Sequence, residues 1–224
     1  MKVVLTREAG HNETLRAFVP ETSSVTEVPL TNTRYYEAAD VAASLASRGE
    51  TMFRSLVVTS ARSERYLELV AKVLAPDAEV FSVGAASTRS LIVHGLRVTV
   101  EAEHGAEELA AYITKGPVLV LGAKVMRGEL GERLDKSGLR IEHLACYETV
   151  GATPDAAGEA ALRDADVVFI GAPSAWRIAQ EFIATSTWVV VPGATTGGEV
   201  RAQHERVIEG WGPDLQATLV ALEH

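Results

Sequence analysis

Residues Ile141–Thr149 read IEHLACYET, a short apolar run that ends at Tyr147 and is followed by Gly151 and Pro154. A shift of 116 residues toward the N-terminus lays Leu144, Ala145, Cys146 and Tyr147 on Val28, Pro29, Leu30 and Thr31. The same shift lays Leu119–Leu121 of GPVLVLGA on Val3–Leu5 of KVVLTR. One offset that aligns both an opening and a closing strand marks an internal duplication. Two further pairs carry it on: SLVVTSARS with DVVFIGAPSA at an offset of 112, and FSVGAAST with VVPGATTG at 109. The chain thus reads A–B–A′–B′, with B near residues 51–115 and B′ near 164–221.

The pattern predicts strands at KVVLTRE, SVTEVPLT, Ser55–Thr59, Glu79–Val83, Arg97–Val100, Val118–Leu121, Leu139–Cys146, Asp166–Ile170 and Thr187–Val191. Helical stretches fall between them: ETLRAFV, Tyr36–Ser47, ARSERYLELVAKVL, AASTRSLIVHG, Ala106–Ile113, Arg127–Lys136, Ser174 to Ile183, VRAQHERVIEG and Leu215–Ala221. Continuous apolar strands alternating with helices define an α/β chain whose parallel sheets are covered on both faces. Each A plus B unit makes one small doubly wound lobe. The repeat leaves open whether A pairs with B or with B′. Polar Thr31–Tyr36 and the stretch Tyr147–Pro154 read as linkers, which fits a lobe of B and A′ inserted within A and B′.

Composition narrows the function. A chain of 224 residues has room for two cores of about 100 residues each. A formal charge of −9 without any run of Lys or Arg argues against nucleic-acid or membrane-surface binding. No apolar run approaches the ~20 residues of a membrane span, and Met1 leads straight into KVVLT with no signal region. The single cysteine, Cys146, excludes an internal disulfide and suits a reducing, cytoplasmic setting. Six histidines without ligand spacing and one cysteine point to no metal. The closing Leu222–His224 resembles a purification-tag scar.

In an open parallel sheet the ligand crevice lies beyond the carboxyl ends of the strands. Four strand-to-helix turns there carry small and hydroxyl residues: Thr59-Ser60-Ala61, Gly84-Ala85-Ala86-Ser87-Thr88, Gly171-Ala172-Pro173-Ser174 and Gly193-Ala194-Thr195-Thr196. Small side chains admit a ligand to the backbone, and the N–H groups that open each following helix favour anions. Helix capping is the plainer use of the same residue types. Neither a GxGxxG nor a P-loop pattern is present, and no nucleophile elbow begins a triad. Tyr147, at a strand end on a proposed linker, places a phenol where it either packs the linker or works on a ligand. Cys146 is expected on the opposite face of that strand as a buried, inert thiol.

The segments VVLTRE, VVTSARS, VGAASTRSLIVHGLRV, GAKVMRGELGERLDKSGLRIEHLACYET and VVPGATTG, in this order, resemble the uroporphyrinogen-III synthase family up to about Ala221. The resemblance implies the inserted arrangement: residues 1–33 with 152–221 in one lobe, 37–146 in the other, and a two-stranded linker of 31–36 and 147–154. It implies a cofactor-independent cyclising lyase in the interlobe cleft. That enzyme takes hydroxymethylbilane to uroporphyrinogen III with loss of water and inversion of the last pyrrole ring. Tyr147, in Tyr147-Glu148-Thr149, takes the place of the tyrosine proposed to help the hydroxyl leave. Thr59, Ser60, Ala61, Gly84, Ala86, Ser87, Ser174, Thr195 and Thr196 are the implied substrate-binding positions, with Arg7 and Arg127 as candidate carboxylate contacts. A cytoplasmic monomer in transient contact with hydroxymethylbilane synthase is expected. Two departures stand out: the Asn common after the first Thr-Ser is replaced around Arg62, and GAPSA lacks the usual opening Thr or Ser. Both would suit the alternative of an inactive bilobed tetrapyrrole-binding or regulatory module; an α/β binder unrelated to tetrapyrroles is a third option.

Overall fold

The strands assemble into two sheets that share one order. The structure, a computed structural model, describes residues 1–103, 105–125, 128–212 and 214–222. It divides into two compact units, Met1–Thr33 with Thr149–His224, and Arg34–Glu148.

The strands are β1 (Lys2–Leu5), β2 (Ser24–Glu27), β3 (Thr31–Tyr35), β4 (Phe53–Val58), β5 (Leu74–Val83), β6 (Val100–Ala102), β7 (Val118–Ala123), β8 (Ile141–Gly151), β9 (Val167–Phe169), β10 (Trp188–Val191) and β11 (Val207–Glu209). One sheet has the order β11-β10-β9-β1-β2, and its pairs are parallel. The other is β3-β8-β7-β4-β5-β6, parallel from β8 to β6. A therefore pairs with B′, and B with A′, which closes the alternative that the repeat left open. The two strand orders correspond as β2/β8, β1/β7, β9/β4, β10/β5 and β11/β6, so the second unit has the topology of a circular permutation of the first.

The apolar runs are continuous because both faces are buried. In the first unit Val4, Val168, Val189 and Val191 enter one core, while Val3, Leu5, Val167, Phe169 and Val190 enter the core on the opposite face. In the second, Leu56, Val58, Leu119 and Leu121 face one way, and Val57, Val118 and Val120 the other. Each such side chain contributes about 1.5–3 kcal/mol on full burial.

Several local expectations change. The helix expected over ARSERYLELVAKVL is a 3-10 turn, Ala61–Tyr66, followed by a short α-helix, Leu67–Ala71. It stops because Leu74 already pairs with Phe53, and Pro76 lies where the ladder skips from Leu74 to Glu79, so no backbone N–H is required of it. The expected helix in VRAQHERVIEG begins earlier, over Ala194–Arg201, and its second half is β11. The strand expected at Arg97–Val100 starts only at Val100. A helix that the pattern missed, Ala156–Arg163, is capped by Asp155, whose carboxylate accepts from Gly158 N at 2.8 Å. Both stretches expected as linkers are largely strand. Tyr36 N donates to Cys146 O and Ala152 N to Leu30 O, a register in which residue numbers sum to a constant, so β3 and β8 run antiparallel. Among the described residues no helix is long and apolar enough to cross a membrane.

Candidate functional site

Each unit gathers its predicted residues at the carboxyl edge of its own sheet. In the first unit Arg7 follows β1, Ser174 follows β9, and Thr195 and Thr196 follow β10. In the second, Thr59, Ser60 and Ala61 follow β4, Gly84, Ala86 and Ser87 follow β5, and Tyr147 lies within β8. Arg127 lies outside the described residues.

The hydroxyls divide by what they already hold. Thr59 Oγ1 donates to Leu121 O at 3.2 Å, tying β4 to β7 where the sheet reverses its winding. Ser60 is the N-cap of the 3-10 turn, and its Oγ accepts from Arg62 N at 3.3 Å. Ala61 opens that turn, half-buried. Ser87 and Thr196 are buried, at 2% and 4% exposure, on the inner faces of their helices. Thr195 and Ala86 are exposed, and Ser174 is half-buried in the first turn of the helix Pro173–Ala179.

Of the helices that follow the predicted turns, those after β5, β9 and β10 receive no side-chain cap. In Gly84–Val93 and Ala194–Arg201 the first N–H groups therefore remain for another acceptor. Gly84 has φ +74°, which other residues rarely adopt, and a side chain there would meet open space. Gly193, at the repeat-equivalent position, is equally open. These paired starts are where the backbone can approach an anion.

Arg7 lies 5.8 Å from the Trp211 ring centroid, and its Nη1 is 3.4 Å from Thr14 Oγ1. A Cβ added at Gly171 would sit 3.5 Å from Arg7 Cγ and 3.8 Å from Trp211. The side chain of Arg7 is thus part of a packed cluster. A cavity of about 610 Å³, lined by Met1, Asp166, Trp188 and Arg206 among others, opens at the amino-terminal edge of the same sheet and touches none of the predicted residues.

Tyr147 owes its placement to an irregularity. On β7, Gly122 and Ala123 are consecutive; their partners on β8 are Ala145 and Tyr147, so Cys146 is an extra residue. Such a bulge turns the strand. As a result Cys146 and Tyr147 enter the same core, together with Leu144, and the expectation that Cys146 and Tyr147 occupy opposite faces fails. Cys146 is buried, and burial pushes its thiol up to about 12. Tyr147 is 5% exposed, and its hydroxyl makes no hydrogen bond to another described residue.

The neighbours of Tyr147 were not singled out by the sequence. In the β3–β8 register Tyr35 stands directly opposite it, with ring centroids 6.2 Å apart at 52°. Arg65 places its guanidinium 3.8 Å from the Tyr35 centroid. One step along, Arg34 pairs across the strands with Glu148, which also accepts from Lys124 Nζ at 3.2 Å. The hydrogen bonds from Arg34 and then Lys124 hold the Glu148 carboxyl below its ordinary range. Lys124 N donates to Tyr147 O at 2.6 Å. The doubled tyrosine of Arg34-Tyr35-Tyr36 was a signal, but only the register could pair it with Tyr147. Among the described residues no three His, Cys, Asp or Glu side chains are grouped to hold a metal ion.

The architecture is that of a duplicated, doubly wound α/β protein with turns of small and hydroxyl residues on the carboxyl edge of both sheets. The chain belongs to the uroporphyrinogen-III synthase family: the family described as Uroporphyrinogen-III synthase HemD matches residues 16–209. No curated protein matches it in sequence. Among solved structures, uroporphyrinogen-III synthetase from Helicobacter pylori is 16% identical, with a TM-score of 0.64 over 100% of this chain and 99% of that one. A mutant uroporphyrinogen III synthase from Thermus thermophilus is 17% identical, with a TM-score of 0.60 over 100% and 98%. The wild-type enzyme from that organism gives 18% and 0.51 over 100% and 97%. At these identities the likeness is one of fold.

Proposed function

We propose that this chain cyclises hydroxymethylbilane to uroporphyrinogen III. Membership of the family across residues 16–209 is the observation that carries the reading. The site's chemistry suits it. The substrate is a polycarboxylate, and a protein of net charge −9 must hold it by local geometry. The uncapped helix starts at Gly84 and Gly193 supply N–H groups for that purpose. The residues around them (Ala86, Thr195 and, half-buried, Ser174) are small enough to let carboxylates in. Thr59, Ser60, Ala61, Ser87 and Thr196 serve mainly by shaping the turns, since their hydroxyls are bonded or buried where they have one. Arg7 stands at the same edge of the first sheet as a candidate carboxylate partner.

Tyr147 acts at the leaving group. Its hydroxyl donates a hydrogen bond to the departing hydroxyl of the bilane, which takes up a proton and leaves as water. The resulting azafulvenium carbon is attacked by the already substituted α-carbon of the terminal ring, and the bond from that carbon to the neighbouring methylene then breaks. The freed methylene carbon is attacked by the other α-carbon of the same ring, and loss of one proton there restores the pyrrole. The ring is thereby inverted and the macrocycle closed, with one proton taken up and one returned. An electron-rich pyrrole expels hydroxide readily, so holding the bilane wound is the larger share of the work. The chain acts as a cytoplasmic monomer that receives its unstable substrate from hydroxymethylbilane synthase. The test is isomer analysis: freshly generated hydroxymethylbilane is incubated with and without the protein, and the oxidised products are resolved. Type III porphyrin in excess establishes ring inversion; type I alone, at the spontaneous rate, ends this reading.

A further inference from the structure

We propose that Arg65 and Tyr35 form a positioning stack that sets the orientation of the Tyr147 phenol. The proposal rests on the reading of Tyr147 as the group that assists hydroxyl departure. Three elements converge on this tyrosine. The bulge at Cys146 swings it onto the core face of β8. Tyr35 stands opposite on β3, its ring tilted against the Tyr147 ring at 6.2 Å, a distance at which aromatic pairs attract. Arg65, from the turn after β4, lies on Tyr35 at 3.8 Å.

The turn that carries Arg65 is itself anchored. Tyr66 is buried, and its hydroxyl donates to Tyr36 O at 2.6 Å, so the residue after Arg65 is tied to the residue after Tyr35. Arg65 itself is exposed, as is the guanidinium of Arg34 on the neighbouring cross-strand pair. A cation held over Tyr35 by a fixed turn presses that ring into one pose, and that ring in turn limits the rotamers open to Tyr147. Since Tyr147 makes no hydrogen bond to another described residue, aromatic packing and backbone position are what aim its hydroxyl. Neither Arg65 nor Tyr35 touches the reacting atoms in this account; both are positioning residues.

The experiment is a double-mutant cycle on turnover of hydroxymethylbilane, with kcat, KM and the type III to type I ratio measured for each variant. Tyr35→Ala is expected to lower kcat about 10-fold with KM little changed, because a displaced phenol costs turnover more than binding. Tyr35→Phe keeps the ring and is expected to retain wild-type kcat. Arg65→Met keeps the stem, removes the cation and is expected to lower kcat about threefold. In a Tyr147→Phe background neither Tyr35→Ala nor Arg65→Met should lower kcat further, which a merely structural role would not produce. If Tyr147→Phe impairs turnover but Arg65→Met and Tyr35→Ala do not, or if their effects add to it, the stack is overturned and the reading of Tyr147 stands. If Tyr147→Phe turns over like the wild type, that reading falls and the stack falls with it. Arg65 is exposed, so Arg65→Met folds and decides the matter even if Tyr35→Ala does not.

Discussion

The two units use the same device at their centre with the parts exchanged. Where the first sheet reverses its winding, Thr6 at the end of β1 donates through Oγ1 to Phe169 O of β9 at 2.6 Å, and Gly171 follows β9. In the second, Thr59 after β4 donates to Leu121 O of β7, and Gly122 stands on β7. The repeat offsets match Thr6 with Gly122 and Thr59 with Gly171, so the threonine and the glycine have traded strands. One hydroxyl per switch point is enough to reach across to the neighbouring carbonyl, and in the second unit it leaves no room for a Cβ on the facing Gly122. This explains why GAPSA lacks a leading hydroxyl: in the first unit that role belongs to Thr6. The departure is structural and says nothing against activity. A second difference sits one strand over. The β1–β2 ladder is regular, whereas the equivalent β7–β8 ladder is bulged at Cys146, and only the bulged unit presents a phenol.

The sharpest break of the comparison is at the phenol. Tyr147→Phe is expected to lower kcat roughly 10²-fold, the scale of a lost proton donor, while its circular dichroism and melting temperature stay close to wild type. Steady-state turnover checks it; unchanged turnover would make the bulge a packing feature.

Next comes the exchanged glycine. A Cβ at Gly122 would stand 2.3 Å from Thr59 Oγ1, so Gly122→Ala must push the threonine off Leu121 O and is expected to cost about 1–3 kcal/mol in urea unfolding. The same change at Gly171 meets Arg7 Cγ at 3.5 Å and Trp211 at 3.8 Å, both ordinary contacts, and is expected to stay within about 0.5 kcal/mol. Adding Thr59→Ala to Gly122→Ala should recover part of the loss, and strict additivity would contradict the exchange.

A smaller effect separates the two threonines. Thr6 is buried and its bond is short, so Thr6→Val is expected to cost about 1 kcal/mol by leaving Phe169 O short of a donor. Thr59→Val should cost less, because its bond is longer and only part-buried. Chemical denaturation of the two variants side by side measures the difference.

The smallest expected signal is at the bulge. The Cys146 thiol, raised by burial from an ordinary 9.0 to about 12, stays protonated at neutral pH. Native protein should resist iodoacetamide at pH 8 and react once unfolded, as mass spectrometry would show. The sign follows: the protonated thiol favours the folded state fully below pH 9.0, and that contribution is lost as pH rises toward about 12. Rapid native alkylation would mean that the bulge exposes Cys146.

Much of the fold was legible from residues alone. Runs such as Val118–Leu121 and Val189–Val191 are apolar at every position, and only a strand buried on both faces requires that. The pairing of A with B′ was not legible, because strand order depends on which distant surfaces fit. At the site, the turns after β4, β5, β9 and β10 were visible as clusters of small and hydroxyl residues. Tyr35, Arg65 and Lys124 were not, since each matters only through a partner far along the chain.

The sequence by itself determined two sheets, their buried faces and the position of the small, hydroxyl-bearing turns, because these depend on local composition and period. Tertiary structure alone decided the circular permutation, the exchange of Thr and Gly between central strands, and the bulge that turns Tyr147 toward Tyr35. Register is a sum over pairs separated by a hundred residues or more, such as Tyr35 with Tyr147, and no window along one strand contains both terms.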